Sequence, residues 1–260
     1  MNTTVIDALA ARLLAAAKNR TPVPPFTAEF PEMTTADAYA VQMAVVASHL
    51  LCKEAIIGKK VGLTSLAIRE MLGVSEPDFG HLLTDMLYAE ETLIPMSVFL
   101  QPRIEAELAF VMGEDVAGPG VSTGDILRAT KAIVPSFEII DSRITDWKIE
   151  IQDTIADNGS CGGLVIGATQ MPVDAVNLQE VGLVLVKNGS IIDTAVGAAV
   201  MGHPAAAVAW LANTLGKMGI PLKKGEIVLS GSFTRAYPIE TKDTFTASFA
   251  GLGSVTATFY

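Results

Sequence analysis

Three acidic side chains of this sequence stand where acids are costly. Glu105 and Glu107 lie in Pro102-Arg-Ile-Glu-Ala-Glu-Leu-Ala-Phe-Val111, and Glu138 lies in Val134-Pro-Ser-Phe-Glu-Ile-Ile-Asp141. Both stretches are otherwise largely apolar. The first alternates, and side chains on a strand repeat with a period of two. Glu105 and Glu107 therefore share one face, while Ile104, Ala106 and Leu108 share the other. Adjacent carboxylates repel each other and lose hydration when buried. A cation between them removes both problems. Three oxygen donors with no neighbouring His or Cys suit a hard divalent ion, Mg2+ or Mn2+. A strand with one face in water would also carry Glu-x-Glu. The apolar setting of Glu138 favours the metal.

Other groups could do chemistry beside such an ion. Lys60 lies in Gly58-Lys-Lys-Val-Gly-Leu-Thr64. Lys59 and Lys60 point to opposite faces of a strand, so one is expected inside and one in solvent. An inward lysine would hold a substrate carboxylate or carry a proton with a lowered pKa. Alternatively, both snorkel to water. Asp78, in Ser75-Glu-Pro-Asp-Phe-Gly80, reads as a loop residue, either of a plain turn or of a site. Asp157-Asn-Gly-Ser-Cys-Gly-Gly163 is a polar, glycine-rich turn whose N–H groups could bind an anion or a carbonyl oxygen. It lacks the Gly-Lys-Ser/Thr ending of a phosphate loop, and no Gly-x-Ser-x-Gly elbow is present. Arg143 could bind a substrate carboxylate or pair with Asp141. Ser230-Gly-Ser-Phe-Thr-Arg235 reads as a pocket wall, with Ser232 toward substrate. His49, His81 and His203 make no metal-spaced pair, and His203, before Pro204, reads as a helix-entry or core residue.

The chain has 260 residues, of which 50% are hydrophobic and 18% charged, so a large core is expected and disorder is not. Its net charge of -10 argues against non-specific binding to nucleic acid or to an anionic membrane. The 2 cysteines, Cys52 and Cys161, are far apart and read as reduced cytoplasmic thiols. The first residues lack the basic stretch of a signal peptide. Ala195 to Ala212 is interrupted by His203 and Pro204, which argues against a membrane span.

These groups need elements to hold them. Residues 4–18 have helical periodicity, with Val5, Leu9, Leu13 and Ala17 on one side. Thr34-Thr-Ala-Asp37 resembles a capping box for a helix to Leu51. Ile56 to Leu63 reads as a strand, Ser65 to Leu72 as a short helix, and Gly73 to Gly80 as a loop. Strands dominate from Leu93, with a long one over Phe99 to Met112. Ser122-Thr-Gly-Asp125 caps a helix to Ala132, and Ile133 to Ile140 follows as a buried strand. Residues 142–160 read as polar and irregular, too rich in functional groups for the core. Asn188-Gly189 predicts a type I′ hairpin, and Pro204 opens a helix to Met218. Ile227 to Leu229, Thr244 to Phe249 and Val255 to Phe259 complete the strands. The order predicts an α+β fold, with a helical N-terminal region (1–75) packed on a mostly antiparallel β body (76–260) as one functional unit.

Seven segments span nearly the whole chain in order. They are Gly58-Lys-Lys-Val-Gly-Leu-Thr64, Pro77-Asp-Phe-Gly80, Gln101-Pro-Arg-Ile-Glu-Ala-Glu107, Asp141-Ser-Arg-Ile-Thr-Asp-Trp147, Gln152-Asp-Thr-Ile-Ala-Asp-Asn158, Gly202-His-Pro204 and Gly251-Leu-Gly-Ser-Val255. Together they resemble the hydratase/decarboxylase branch of the fumarylacetoacetate hydrolase superfamily. Within it they are most similar to the 2-hydroxypenta-2,4-dienoate (2-oxopent-4-enoate) hydratases of aromatic meta-cleavage pathways. The resemblance implies a mixed β-roll or barrel-like body and a homo-oligomer. It implies that Glu105, Glu107 and Glu138 bind the divalent ion, that Lys60 and Asp78 meet the substrate, and that Ser160 lies close by. Gly159 departs from the pattern, where Ala is usual. The activity implied is metal-dependent addition of water to 2-hydroxypenta-2,4-dienoate. The alternatives are decarboxylation of 4-oxalocrotonate (2-oxo-hex-3-enedioate) and hydration of a longer dienoate, since Phe233-Thr-Arg235 resembles heptenedioate hydratases and Arg235 could bind a distal carboxylate. A last alternative is a non-catalytic partner of a pathway decarboxylase, with which such hydratases can associate.

Overall fold

Capping at each start and apolar spacing within make the first residues helical. The computed structural model describes residues 1–66, 69, 70 and 73–260, so the short helix expected over Ser65 to Leu72 lies partly outside the described residues. Helix α1 (Thr3–Asn19) is capped by Asn2, whose side chain accepts from the Val5 N–H at 3.0 Å, and it buries Leu9, Ala10, Leu13 and Ala16. Helix α2 (Phe26–Glu29) has no local side-chain cap. Asp153 replaces it from 127 residues away, accepting from the Phe26 N–H at 2.6 Å. Helix α3 (Thr35–Leu51) starts with the expected Thr34–Asp37 capping box. Leu13, Phe26 and Val41 of these helices share a core with Ile144 and Ile155.

The strands are β1 (Ile56–Gly62), β2 (Asp78–Leu83), β3 (Leu87–Ala89), β4 (Leu93–Ile94), β5 (Arg103–Met112), β6 (Thr130–Ile140), β7 (Cys161–Ile166), β8 (Gly182–Lys187), β9 (Ser190–Val196), β10 (Ile227–Leu229), β11 (Tyr237–Pro238), β12 (Thr244–Phe249) and β13 (Gly253–Phe259). Three longer helices lie among them: α4 (Thr123–Ala129), α5 (Ile151–Ala156) and α6 (Pro204–Gly216). The large sheet runs β2-β1-β10-β5-β6-β7-β3, with β11 also on β5; the small sheet runs β4-β13-β12-β8-β9. Parallel pairs are β1 with β10, β3 with β7, and β4 with β13. The other strand pairs are antiparallel, which is the mixed, mostly antiparallel α+β body expected.

Register decides what the acids face. Glu105 pairs with Glu138, Glu107 with Ser136 and Ala109 with Val134. Ala109 pairs with Leu229, Leu229 with Lys60, and Asp78 with Gly62. Side chains directly opposite in a ladder share a face. Lys60, Asp78, Glu105, Glu107 and Glu138 thus project from one face of the sheet. They share it with an apolar cluster that includes Leu82, Ala109, Val134, Leu164 and Leu229. The other face carries Val61, Phe79, Ala106, Leu108, Phe110 and Phe137, packed in one core with Phe245, Ala247, Val255 and Ala257 of the small sheet.

Several local expectations change. Asp78 is not in a loop: it is the first residue of β2. The helix begun at Ser122 ends at Ala129, and β6 starts at Thr130. Residues 142–160 are not irregular throughout, nor outside the core. They contain α5, and Asp153, Asp157, Asn158 and Ser160 are buried. The polar groups of these four residues are bonded to backbone and to other side chains, which lets them enter the interior. Strand β1, from the first 75 residues, lies between β2 and β10, so that region and the body share one sheet. The hairpin is as expected, with φ 52 at Asn188 and 83 at Gly189. His203 caps α6, its Nδ1 accepting from the Ala205 N–H at 3.0 Å. No helix among the described residues is long and apolar enough to cross a membrane.

Candidate metal centre

Strands β5 and β6 bring the three glutamates together. One carboxylate oxygen from each of Glu105, Glu107 and Glu138 lies within 4.8 Å of the others. Glu107 and Glu138 are 0% exposed. Glu107 Oε2 accepts from the Gly231 N–H at 2.8 Å. Among the described residues its Oε1, and both oxygens of Glu138, have no hydrogen-bond partner of good geometry. Buried carboxylate oxygens are rarely left so. Burial raises the pKa of all three acids. The charge of Glu138 adds to the rise for Glu105, which reaches about 7, and for Glu107, which stands well above its ordinary value. Converging, unpartnered oxygens on acids that resist ionising together fit a hard divalent ion.

Lys60 Nζ lies 3.3 Å from Glu138 Oε1. Burial works against its charge, but Glu138 and Asp78 more than offset that and hold its pKa above the ordinary range. This corrects the expectation of a lowered pKa. Lys59 is corrected too. It is buried rather than in solvent, because Glu226 receives its ammonium at 2.8 and 2.7 Å. Asp78 is buried, and its Oδ1 has no partner among the described residues. Burial raises its pKa and Lys60 lowers it. The two side chains converge over Gly62, where a Cβ would stand 3.1 Å from Lys60 Nζ and would collide with Asp78.

Ser160 is buried, its hydroxyl 3.2 Å from that of Thr154. It follows Gly159, which lies against Lys60. Ser232 Oγ is buried without a partner among the described residues, as is Ser230 Oγ; the two residues flank the Gly231 amide that bonds Glu107. Arg143 is not free for a ligand. Its Nε donates to Asp157 Oδ1 at 2.5 Å, Nη1 to the Asp141 and Cys161 carbonyls at 2.7 and 3.0 Å, and Nη2 to the Asp157 carbonyl at 2.6 Å. It is a strut of the 157–161 turn. Arg143→Met is therefore expected to cost stability, about 3–5 kcal/mol for stranding a buried partner, and to leave Mn2+ affinity unchanged. Chemical denaturation and calorimetric titration check both. Arg235 is exposed and stacks on Tyr237, 4.8 Å from the ring centre.

Two neighbours escaped the sequence. The Cys161 thiol lies beside Glu138, and burial, then that carboxylate, pushes its pKa well up. Asn158 bonds strand β2. Neither has a local signature, since each contact crosses the fold.

Residues 65–260 match the family described as Fumarylacetoacetate (FAA) hydrolase C-terminal. The chain belongs to this family. Among its relatives is a 2-hydroxyhexa-2,4-dienoate hydratase of Comamonas testosteroni, 43% identical over 98% of this chain and 97% of the relative. A 2-hydroxypent-2,4-dienoate hydratase of Pseudomonas putida is 44% identical over 85% of this chain and 100% of its own. Among solved structures, this FAA hydrolase-family chain is similar to 4-oxalocrotonate decarboxylase from Pseudomonas putida G7, complexed with magnesium and adipate. There the TM-score is 0.97 at 35% identity, covering 100% of this chain and 99% of the other.

Proposed function

We propose that the protein is a hydro-lyase that adds water to 2-hydroxypenta-2,4-dienoate (2-oxopent-4-enoate), giving 4-hydroxy-2-oxopentanoate in aromatic meta-cleavage degradation. The single observation that carries this reading is the converging Glu105–Glu107–Glu138 cluster, with Glu107 and Glu138 buried and short of hydrogen-bond partners, beside Lys60 and Asp78. The names of the relatives give it a substrate. The three glutamates would hold Mg2+ or Mn2+. When bound, such an ion supplies a Lewis acid that favours negative charge on a 2-oxo acid.

Lys60 and Asp78 carry the protons. A proton delivered at C5, as the C2 hydroxyl loses its own, turns the dienol into a 2-oxo-3-enoate. That species is electrophilic at C4. Water adds at C4, its spare proton leaves, and a proton delivered at C3 completes the product. The Ser232 hydroxyl, buried and without a partner among the described residues, is placed to donate to a substrate oxygen, and Ser160 follows Gly159, which lies against Lys60. The apolar cluster on the same sheet face excludes water from the acids. We place the enzyme in the cytoplasm as a homo-oligomer able to associate with a pathway decarboxylase.

The likeness to the decarboxylase favours a second reading, loss of CO2 from 2-oxo-hex-3-enedioate. A diacid needs a cation for its distal carboxylate, and Arg143 is committed to Asp157 while Arg235 is on the surface. Hydration is therefore preferred. Freshly generated dienoate and, separately, the diacid would be given to the Mg2+-loaded protein, with products read by NMR. 4-Hydroxy-2-oxopentanoate from the first supports the hydratase; CO2 from the second, with no hydration of the first, overturns it.

The acids also set a pH dependence. Glu105 rises from 4.5 to about 7 in the metal-free fold. The folded state then holds this proton more tightly than the unfolded chain does. Its contribution to stability is present below about pH 4.5 and is lost as pH rises through 7. Metal binding needs the carboxylates ionised. Mn2+ is therefore expected to raise Tm more at pH 8 than at pH 5.5. Equal shifts in scanning calorimetry would contradict this.

A further inference from the structure

Three consecutive residues, Asn158, Gly159 and Ser160, have positive φ of 57, 61 and 54. For glycine this is ordinary and for asparagine tolerated, but for serine it is uncommon, and such backbone persists only where its surroundings impose it. The ends of the turn are held by Arg143, which bonds Asp157, and by the Asp141 N–H, which donates to the Ser160 carbonyl at 2.7 Å. Its middle is held by Asn158, which is 4% exposed. Asn158 Oδ1 accepts from the His81 N–H at 2.8 Å, and Nδ2 donates to the His81 carbonyl at 2.9 Å. The amide thus takes the place of a neighbouring strand along β2. The approach is so close that a Cβ on Gly80 would collide with the Asn158 carbonyl oxygen.

The turn presses on one other group. A Cβ on Gly159 would lie 2.8 Å from Lys60 Cε and 3.2 Å from Lys60 Nζ. The lysine stem therefore runs against the bare glycine, and its ammonium ends 3.3 Å from Glu138. Lys60 pairs with Gly80 in the β1–β2 ladder, and Asp78 begins the same β2 strand. The strand that Asn158 grips is the strand that carries Asp78. One side chain ties together the surfaces that fix both groups.

We infer that Asn158 is a positioning residue for proton transfer, clipping the 158–160 turn to β2 so that Lys60 is held between Glu138 and Asp78. This rests on the proposed role of Lys60, and the test separates the two. The readout is exchange of the C3 protons of 2-oxopentanoate with D2O by the Mg2+-loaded protein, followed by NMR. A proton leaves C3 to the base and a deuteron returns, so exchange needs neither water addition nor loss of CO2. Asn158→Ala is expected to slow exchange about 10- to 100-fold, the scale of a small misplacement of a catalytic group. Calorimetric affinities for Mg2+ and for 2-oxopentanoate should not change. In a Lys60→Met background the same substitution should alter the residual rate by less than about twofold, because coupled residues are not additive. Asn158→Asp keeps the acceptor for the His81 N–H and loses the donor, so an intermediate loss is expected; it carries the test if Asn158→Ala does not fold. Wild-type exchange in Asn158→Ala, losses that multiply in the double variant, or a fall in Mg2+ affinity as large as the fall in rate would each overturn the inference. Wild-type protein that exchanges protons but hydrates no dienoate would sink the hydratase reading and leave this one standing. A wild-type protein that exchanges nothing would overturn it.

Discussion

Glu107→Gln is expected to abolish metal-dependent turnover without lowering the thermal stability of the metal-free protein. Most substitutions that remove a buried hydrogen-bonded group destabilise. This one differs because of what surrounds Glu107. It is 0% exposed, and burial together with the charges of Glu138 and Glu105 holds its pKa well above the ordinary carboxylate range. Burial therefore favours the neutral carboxyl in the metal-free state, and glutamine copies that form closely. The amide oxygen still accepts from the Gly231 N–H, now 2.8 Å from Oε2. What is lost is the anionic donor. Removing an outer partner of a metal ligand costs about 10- to 100-fold in affinity, so losing a ligand should weaken Mn2+ binding by more than about 100-fold. Electron paramagnetic resonance of free Mn2+ measures the affinity, and calorimetry without metal measures the stability. Unaltered Mn2+ affinity would remove Glu107 from the site. A large drop in metal-free Tm would mean that its role is structural.

Lys60→Met should have the opposite signature. It removes the ammonium 3.3 Å from Glu138 and keeps a stem of similar length. A positive charge near the acids repels a divalent cation, so Mn2+ binding should be no weaker in the variant, and tighter if anything. Turnover should fall by about 10²- to 10⁴-fold, the range for a positioned acid–base group. Losing that cation also leaves Glu138 and Asp78 less compensated, so the metal-free protein should melt lower and Mn2+ should restore it. Steady-state kinetics at saturating Mn2+ separates the effects. Full turnover would exclude Lys60 from proton transfer.

The clustering of the three acids in the candidate metal centre is legible in part because it depends on the shortest-range rule available. Strand alternation alone sets Glu105 and Glu107 on one face, and the apolar runs around Glu107 and Glu138 mark buried strands. What alternation could not give was pairing across the fold. It placed Lys59 and Lys60 on opposite faces correctly, yet sent one to water, because the carboxylate that buries Lys59 is Glu226, 167 residues on. Residues 142–160 looked too polar for an interior for the same reason. Asp153 caps a helix 127 residues earlier, and Asn158 bonds a strand 77 residues earlier. Arg143 reads as open to a substrate carboxylate or to Asp141 because a sequence shows a charge but not its commitments. Elements with local punctuation came out nearly complete, as with the Thr34 capping box and the Asn188-Gly189 turn.

The most direct measurement is dienoate hydration by protein stripped of metal with a chelator, then titrated with Mg2+. The expected result is no 4-hydroxy-2-oxopentanoate from the stripped protein, and product formation that rises with Mg2+ to saturate at one ion per chain. Hydration at the full rate by stripped protein, with no response to added Mg2+, would contradict a metal-dependent hydratase built on Glu105, Glu107 and Glu138.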